Sequence, residues 1–156
     1  MIHVLFICLG NICRSPMAEA VMRRLVDEAG LADRITVASV GTGAWHIGEP
    51  PHRGTQEILR RYSIPHDGCA RQITRDDIAT ADYLVAMDRQ NVTDVRALAS
   101  SGIPSGKLRR LLEYAPAGGA LDVPDPYFED NFDEVYRLVD AGCRGLLARI
   151  RAEHDL

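Results

Sequence analysis

The run Ile2-His3-Val4-Leu5-Phe6-Ile7 is branched or aromatic apart from His3, and it lacks a clean alternation of apolar with polar residues. A strand of that kind is buried on both faces, which requires helices above and below it, the arrangement of parallel α/β folds. Helical periodicity follows at once: Met17, Ala20, Val21, Leu25 and Ala29 recur at spacings of three and four, with Gly30 as a stop. Ile35 to Ser39 predicts a second strand, which leads through a Gly- and Pro-rich loop at 41–51 to a helix at 52–62. Thr74 followed by Asp77 opens a short helix in the manner of a capping box. Tyr83 to Met87 predicts a third strand, Asp88 to Ser100 a helix, and Lys107 to Leu112 a weaker fourth strand whose basic residues mark a sheet edge. Residues 115–130 are rich in Pro, Gly and Asp and predict a loop. From Asn131 the series Phe132, Val135, Val139, Cys143, Leu146, Ile150 marks a long closing helix. The expected fold is one α/β domain over residues 1–156. Its four-stranded parallel sheet is doubly wound in the order 2-1-3-4, with helices on both faces.

Ligands of such folds sit beyond the carboxyl ends of the strands, at the switch point, and Cys8 follows the first strand directly. The segment Cys8-Leu9-Gly10-Asn11-Ile12-Cys13-Arg14-Ser15-Pro16 places a thiol and a guanidinium at the two ends of a short loop. Gly10 and Asn11 are residues that visit left-handed conformations at low cost, so the loop can curl until its N–H groups converge into an anion nest. Ser15 reads as an N-cap and Pro16 as the first helical residue, which aims a helix N-terminus at the same point. The expectation is a phosphate-like dianion held by residues 9–15 against a thiolate.

Composition restricts the partners. The chain has 156 residues with 46% hydrophobic composition, enough for one domain that buries roughly 68–70% of its unfolded surface. A net charge of −4, with no run of lysines or arginines, gives no electrostatic support to a nucleic-acid or membrane-surface role. The start MIHVLFICLG has no basic flank or cleavage pattern, and no stretch approaches the ~20 apolar residues of a membrane span, which predicts a cytoplasmic protein. Four scattered cysteines, Cys8, Cys13, Cys69 and Cys143, read as thiols at rest. His3, His46, His52 and His154 show no ligand spacing, so neither a metal nor another cofactor is expected.

A cysteine at a strand end is by default a small buried hydrophobe. Cys8, however, borders an amide nest, a helix N-terminus and Arg14, surroundings that favour thiolate and make it the expected nucleophile. Arg14 could pair with Glu19 on the surface, but its place closing the loop suits bidentate capture of two phosphoryl oxygens. Transfer of a phosphoryl group from an oxygen ester to the thiol also calls for a proton donor to the departing oxygen. Asp122, Asp125 and Asp130 are the acidic candidates. Asp125 stands between Pro124 and Pro126, which hold it extended and stiffen its loop.

CLGNICRSP resembles the active-site loop of low-molecular-weight protein tyrosine phosphatases, and the likeness continues through SVGTGAWHIGEPP at 39–51, ARQITRDDIATADYLVAMDRQN at 70–91 and VPDPYFED at 123–130. The resemblance implies a cysteine-dependent phosphatase that works on aryl phosphomonoesters through a phosphocysteine, with no cofactor. It selects Asp125, through Asp125-Pro126-Tyr127, as the general acid. It also implies that Asn11, Ser15 and Ser39 hold the loop by hydrogen bonds, that Ser15 faces the Cys8 sulfur, and that Cys13 traps oxidised Cys8. Trp45 and Tyr127 would wall a crevice for the substrate ring, with Leu9 and Ile12 contributing from the loop. Phe128, also assigned to substrate binding, stands where many relatives have a second tyrosine. Gly68 stands where relatives often have histidine, leaving His66 or water to complete the support. The implied partner is a phosphotyrosine-bearing protein, in bacterial relatives often an autophosphorylating tyrosine kinase.

Three rivals share parts of this pattern. A thioredoxin-coupled arsenate reductase would need a further cysteine pair, yet residues 70–142 contain no cysteine. A protein arginine phosphatase has a small threonine in related sequences where Ile12 stands. A phosphate- or phosphopeptide-binding module could dispense with Asp125.

Overall fold

A computed structural model describes residues 1–156. The opening apolar run is strand β1 (Ile2–Cys8), and its side chains divide by parity. Ile2, Val4, Phe6 and Cys8 enter one buried cluster, Leu5 and Ile7 another, which is the physical reason that the run shows no polar alternation. β1 pairs in parallel with β2 (Ile35–Gly41) on one side and with β3 (Tyr83–Ala86) on the other; β4 (Leu108–Arg110) extends the sheet beyond β3. The order is 2-1-3-4, as expected. Cys8 lies opposite Gly41 and Ile7 opposite Ala86, so β2, β1 and β3 end at one level, and the loops leaving them meet there.

Helices α1 (Arg14–Glu28), α2 (Arg53–Arg61) and α6 (Phe132–His154) cover the first face, and α3 (Arg75–Thr80) and α4 (Arg89–Leu98) the second. In α6 the fully buried Val135, Val139, Cys143, Leu146 and Ile150 form the predicted stripe. Burial of a valine, leucine or isoleucine side chain contributes roughly 1.5–3 kcal/mol. α6 also packs against a 3-10 turn at Leu111–Glu113, and its approach there is set by two glycines. A Cβ at Gly142 would lie 2.5 Å from the Leu111 side chain, and one at Gly145 would lie 1.8 Å from the Tyr114 carbonyl oxygen. No helix is long and apolar enough to cross a membrane.

Four local expectations are corrected. α1 begins at Arg14 with Cys13 at the cap and no side-chain cap, so Ser15 is a helical residue rather than the N-cap. Its hydroxyl is taken by the thiol network described below, which competes with capping. The fourth strand shrinks to Leu108–Arg110 because the chain turns into the 3-10 segment that meets α6. The loop at 115–130 contains a single helical turn, α5 (Pro126–Glu129), started by Asp125 and Pro126. Asn11 adopts a left-handed φ of 56°, whereas Gly10 does not.

Candidate active site

The loop after β1 curls because Asn11 reverses the chain and because its carbonyls are held outward. The carbonyls of Cys8, Leu9 and Ile12 accept from the amides of Thr42, Gly43 and His52, which belong to other segments. The N–H groups of Leu9, Gly10, Ile12 and Cys13 have no acceptor within the protein, the arrangement of an anion nest at the N-terminus of α1. Glycine is needed at two places for close approach rather than for φ. A Cβ at Gly10 would meet the His46 ring at 3.0 Å, and one at Gly41 would meet the Leu9 carbonyl oxygen at 2.8 Å.

Cys8 is buried, and its sulfur receives the Asn11 N–H at 3.3 Å and lies 3.0 Å from Ser15 Oγ. Ser15 Oγ accepts from Asn11 Nδ2 at 2.8 Å, and its single proton is shared between the sulfur and the Val40 carbonyl, 3.4 Å away. Asn11 Nδ2 also donates to Ser39 Oγ at 3.0 Å, and its Oδ1 accepts the Arg71 amide at 3.0 Å. Every polar atom of the Asn11 side chain is therefore engaged in holding its strained backbone. Ser39 passes the network on by donating to Glu19 Oε1 at 2.5 Å. Burial alone would raise the Glu19 carboxyl. The His66 ring 3.8 Å away, the Ser39 donor and Arg23 at 2.8 Å outweigh it and hold the group below its ordinary range. A Cβ on Gly68 would lie 3.3 Å from the His66 ring, so His66 fills the space beside position 68, with its Nε2 3.8 Å from Glu19 Oε1 and beyond hydrogen-bond distance.

Arg14 is almost fully buried and pairs with neither the surface nor Glu19. Its Nη1 donates to Asp88 Oδ2 at 2.6 Å and to the Val123 carbonyl at 2.9 Å, and its Nη2 lies 3.6 Å from Asp125 Oδ2. Burial works against the charged guanidinium, but the Cys8 sulfur, hydrogen-bonded Asp88 and Asp125 more than compensate and raise it above its ordinary value. Asp125 caps α5 by accepting the Tyr127 N–H at 3.0 Å and keeps an extended backbone between its two prolines. Of the three acidic candidates, Asp125 alone lines the cleft above Cys8. Asp122 is held by Arg110 and by the Arg89 amide, and Asp130 ends α5 with a left-handed φ of 57°.

That cleft has a volume of about 240 Å³. Leu9, Trp45, Tyr127 and Phe128 form its rim, all exposed, and buried Ile12 and Cys13 line it with Cys8 and Arg14. Tyr127 and Phe128 meet edge to face with centroids 5.0 Å apart, and the Trp45 ring folds over Gly43, where a Cβ would come within 2.0 Å of it. All four cysteines are free thiols. Burial first, then the negative charges of Cys8 and Asp125, push the Cys13 thiol up to about 12. The structure thus brings Cys8, Arg14 and Asp125 to one cleft with Leu9, Ile12, Cys13, Trp45, Tyr127 and Phe128, ties Asn11, Ser15 and Ser39 into the network behind it, leaves Asp122 and Asp130 outside, and adds three residues that were missed. Glu19 and Asp88 carried a signal, since Glu19 is an acid on an apolar helix face and Asp88 opens a helix with Asn91 as its capping partner. His46, in the cleft 6.0 Å from the Tyr127 ring centroid and 2.9 Å from Glu49, carried none.

A thiol and a guanidinium facing one amide nest, at the switch point of a parallel sheet, define a cysteine-type phosphatase of doubly wound α/β architecture. Residues 3–156 match the family described as low molecular weight phosphotyrosine protein phosphatase. The chain is 51% identical over 157 aligned residues to the low molecular weight protein-tyrosine-phosphatase YfkJ of Bacillus subtilis, covering 100% of both chains. The crystal structure of YfkJ superposes with a TM-score of 0.95 over 99% of this chain and 97% of that one. The phosphatase PtpA of Staphylococcus epidermidis is 46% identical, with 100% of this chain and 98% of the relative covered. The crystal structure of DARP, described as a drosophila arginine phosphatase, is 31% identical, with a TM-score of 0.88 over 97% of this chain and 98% of that one. The protein belongs to the low molecular weight phosphotyrosine protein phosphatase family.

Proposed function

We propose that the protein hydrolyses aryl phosphomonoesters, phosphotyrosine in proteins foremost, by two in-line displacements at Cys8. The observation that carries this reading is the convergence of the Cys8 sulfur, the Arg14 guanidinium and the Asp125 carboxyl on one cleft. In the first step the Cys8 thiolate attacks phosphorus, the bond to the phenolic oxygen breaks, and Asp125 gives that oxygen its proton. Arg14 and the unengaged N–H groups of the loop, among them those of Leu9, Gly10, Ile12 and Cys13, hold the equatorial oxygens, whose charge shifts in a loose transition state. In the second step Asp125, now carboxylate, takes a proton from water as it attacks the phosphocysteine, and the S–P bond breaks. The Ser15 hydroxyl, 3.0 Å from the sulfur, steadies the departing thiolate.

The aromatic rim of Trp45, Tyr127 and Phe128, with Leu9 and the apolar Ile12, supports a flat ring, and stacking adds about 0.5–1.5 kcal/mol beyond burial. That wall favours phosphotyrosine over phosphoarginine, the substrate suggested by the description of DARP. The partner this assigns is a phosphotyrosine-bearing protein; an autophosphorylating tyrosine kinase is one such protein. Cys8→Ser should abolish aryl phosphate turnover while still binding phosphate. Asp125→Ala should lower the rate by roughly 10²–10⁴ for phenolic leaving groups and less for esters whose leaving group needs no proton. Turnover retained by Cys8→Ser, or faster hydrolysis of phosphoarginine than of phosphotyrosine by the unmodified protein, would overturn the reading.

Cys13 completes the proposal as a resolving thiol. Held protonated by burial and by the charge of Cys8, it is no competing nucleophile at rest. When peroxide oxidises the Cys8 thiolate to a sulfenic acid and is itself reduced, that charge disappears and with it part of what keeps Cys13 protonated. Cys13 can then attack the Cys8 sulfur, displacing the sulfenic oxygen as water and closing a disulfide before irreversible oxidation. Activity lost to mild peroxide should return with a thiol reductant in the unmodified protein and return less in Cys13→Ser. Equal recovery in both proteins would remove Cys13 from this role.

A further inference from the structure

The basic run at the end of the sheet, read from the sequence as the guard of an edge strand, forms one bank of a separate groove. Arg109 and Arg110 of β4 face Arg89 and Arg96 of α4 across a space of about 360 Å³ that contains a single acidic residue, Glu113. Edge protection accounts for the strand arginines but not for the helix pair. Arg89 and Arg96, seven positions apart on one face of α4, are both exposed, and neither side chain has a hydrogen-bond or ion-pair partner. Arg109 lies 3.7 Å from Glu113, and Arg110 is shared between Glu113 and Asp122. Four guanidiniums thus stand against two carboxylates in a chain whose net charge is −4, a local reversal of sign.

The groove is tied to the phosphate nest by two short pieces of backbone. Asp88 holds Arg14, and the next residue is Arg89. Asp122 binds Arg110 and the Arg89 amide, and the next residue, Val123, gives its carbonyl to Arg14. A polypeptide whose phosphotyrosine occupies the nest therefore has a cationic surface beside it. Arg89 and Arg96 are separated by roughly 10 Å along the helix, the span of about three extended residues. Guanidiniums match carboxylates and phosphoryl groups in geometry as well as charge.

We propose that this arginine groove binds an acidic stretch of the substrate polypeptide that flanks the phosphotyrosine, selecting substrates by charge beyond the aryl crevice. The proposal rests on the phosphotyrosine reading of the nest. Exposed charge pairs of this kind are modest and screened by salt, so the groove changes KM rather than kcat.

The test compares synthetic phosphotyrosine peptides with neutral flanks, with aspartate-rich flanks before the phosphotyrosine, and with the same flanks after it. A small aryl phosphate serves as reference. For the unmodified protein, one acidic-flank peptide should exceed the neutral peptide in kcat/KM by about three- to tenfold at low salt, through KM, with the advantage shrinking as salt rises. Arg89→Gln combined with Arg96→Gln should bring that ratio close to one and leave hydrolysis of the aryl phosphate unchanged. Equal kcat/KM on all three peptides, or a preference that survives the double variant, overturns the groove while leaving the catalytic reading intact. Failure of the unmodified protein to hydrolyse either the neutral peptide or the aryl phosphate counts against the catalytic reading instead. A single-stranded RNA oligomer that binds more tightly than the acidic peptides, and loses binding in the double variant, would reassign the groove to nucleic acid and overturn the proposal.

Discussion

Glu19 places a buried carboxylate on the helix that opens the anion nest, and its charge is tolerated because Ser39, Arg23 and His66 surround it. Its pKa lies below the ordinary carboxylate range in the folded protein, so the ionised form stabilises the fold. The contribution is fully present above the unfolded value of about 4.3 and is lost as pH falls through the lower folded value. Glu19→Gln should therefore be less stable than the unmodified protein near neutrality, and the gap between them should narrow on acidification. Urea unfolding at neutral pH and below pH ~4 checks this, and a gap that does not change with pH would mean that packing, not charge, is at stake. The residues legible in the sequence at this scale were those whose chemistry is local. Cys8, Asn11, Arg14 and Ser15 lie within eight consecutive residues, so their types and order predict a nest without reference to the rest of the chain. Glu19, Asp88 and His46 act on groups far away in the chain, and spacing says nothing about such partners.

Among the elements, β1, α1 and α6 were readable because each repeats one pattern for several turns or pairs. The errors fell at ends, where two local rules compete. Ser15 satisfied the rule for a cap yet is recruited by Asn11 and Cys8, so the hydroxyl follows the tertiary network and the helix begins at Arg14. The run from Lys107 looked uniform, yet the chain leaves the sheet after Arg110 to meet α6. That meeting depends on Gly145, where an added methyl would strike the Tyr114 carbonyl. In isolation, glycine to alanine in a helix stabilises by about 1 kcal/mol. At this site the clash with rigid backbone should reverse the sign, and we expect Gly145→Ala to destabilise by about 1–3 kcal/mol. A thermal melt of the variant above that of the unmodified protein would show that the turn at Leu111–Glu113 yields easily.

For the molecule as a whole, the unengaged amides and buried Arg14 make an anion part of the stability balance. Phosphate binds the assembled nest and not the unfolded chain, so it should raise the melting temperature of Cys8→Ser. At a hundred times its Kd the gain is about 2.7 kcal/mol, or roughly 5–10 °C for a domain of this size. A melt insensitive to phosphate would contradict a preformed nest. The order of strands was legible because alternating strands and helices allow few topologies, whereas the ties that close the site are long-range. Arg14 is fastened by Asp88 beyond β3 and by the Val123 carbonyl, and Asp125 arrives only with the loop before α6. A chain emerging from the ribosome therefore exposes its nucleophile early but receives its acid last. Until the final third of the polypeptide has closed over the loop, the nucleophile stands without the acid that protonates its leaving group, and the half-made enzyme is blunted rather than armed.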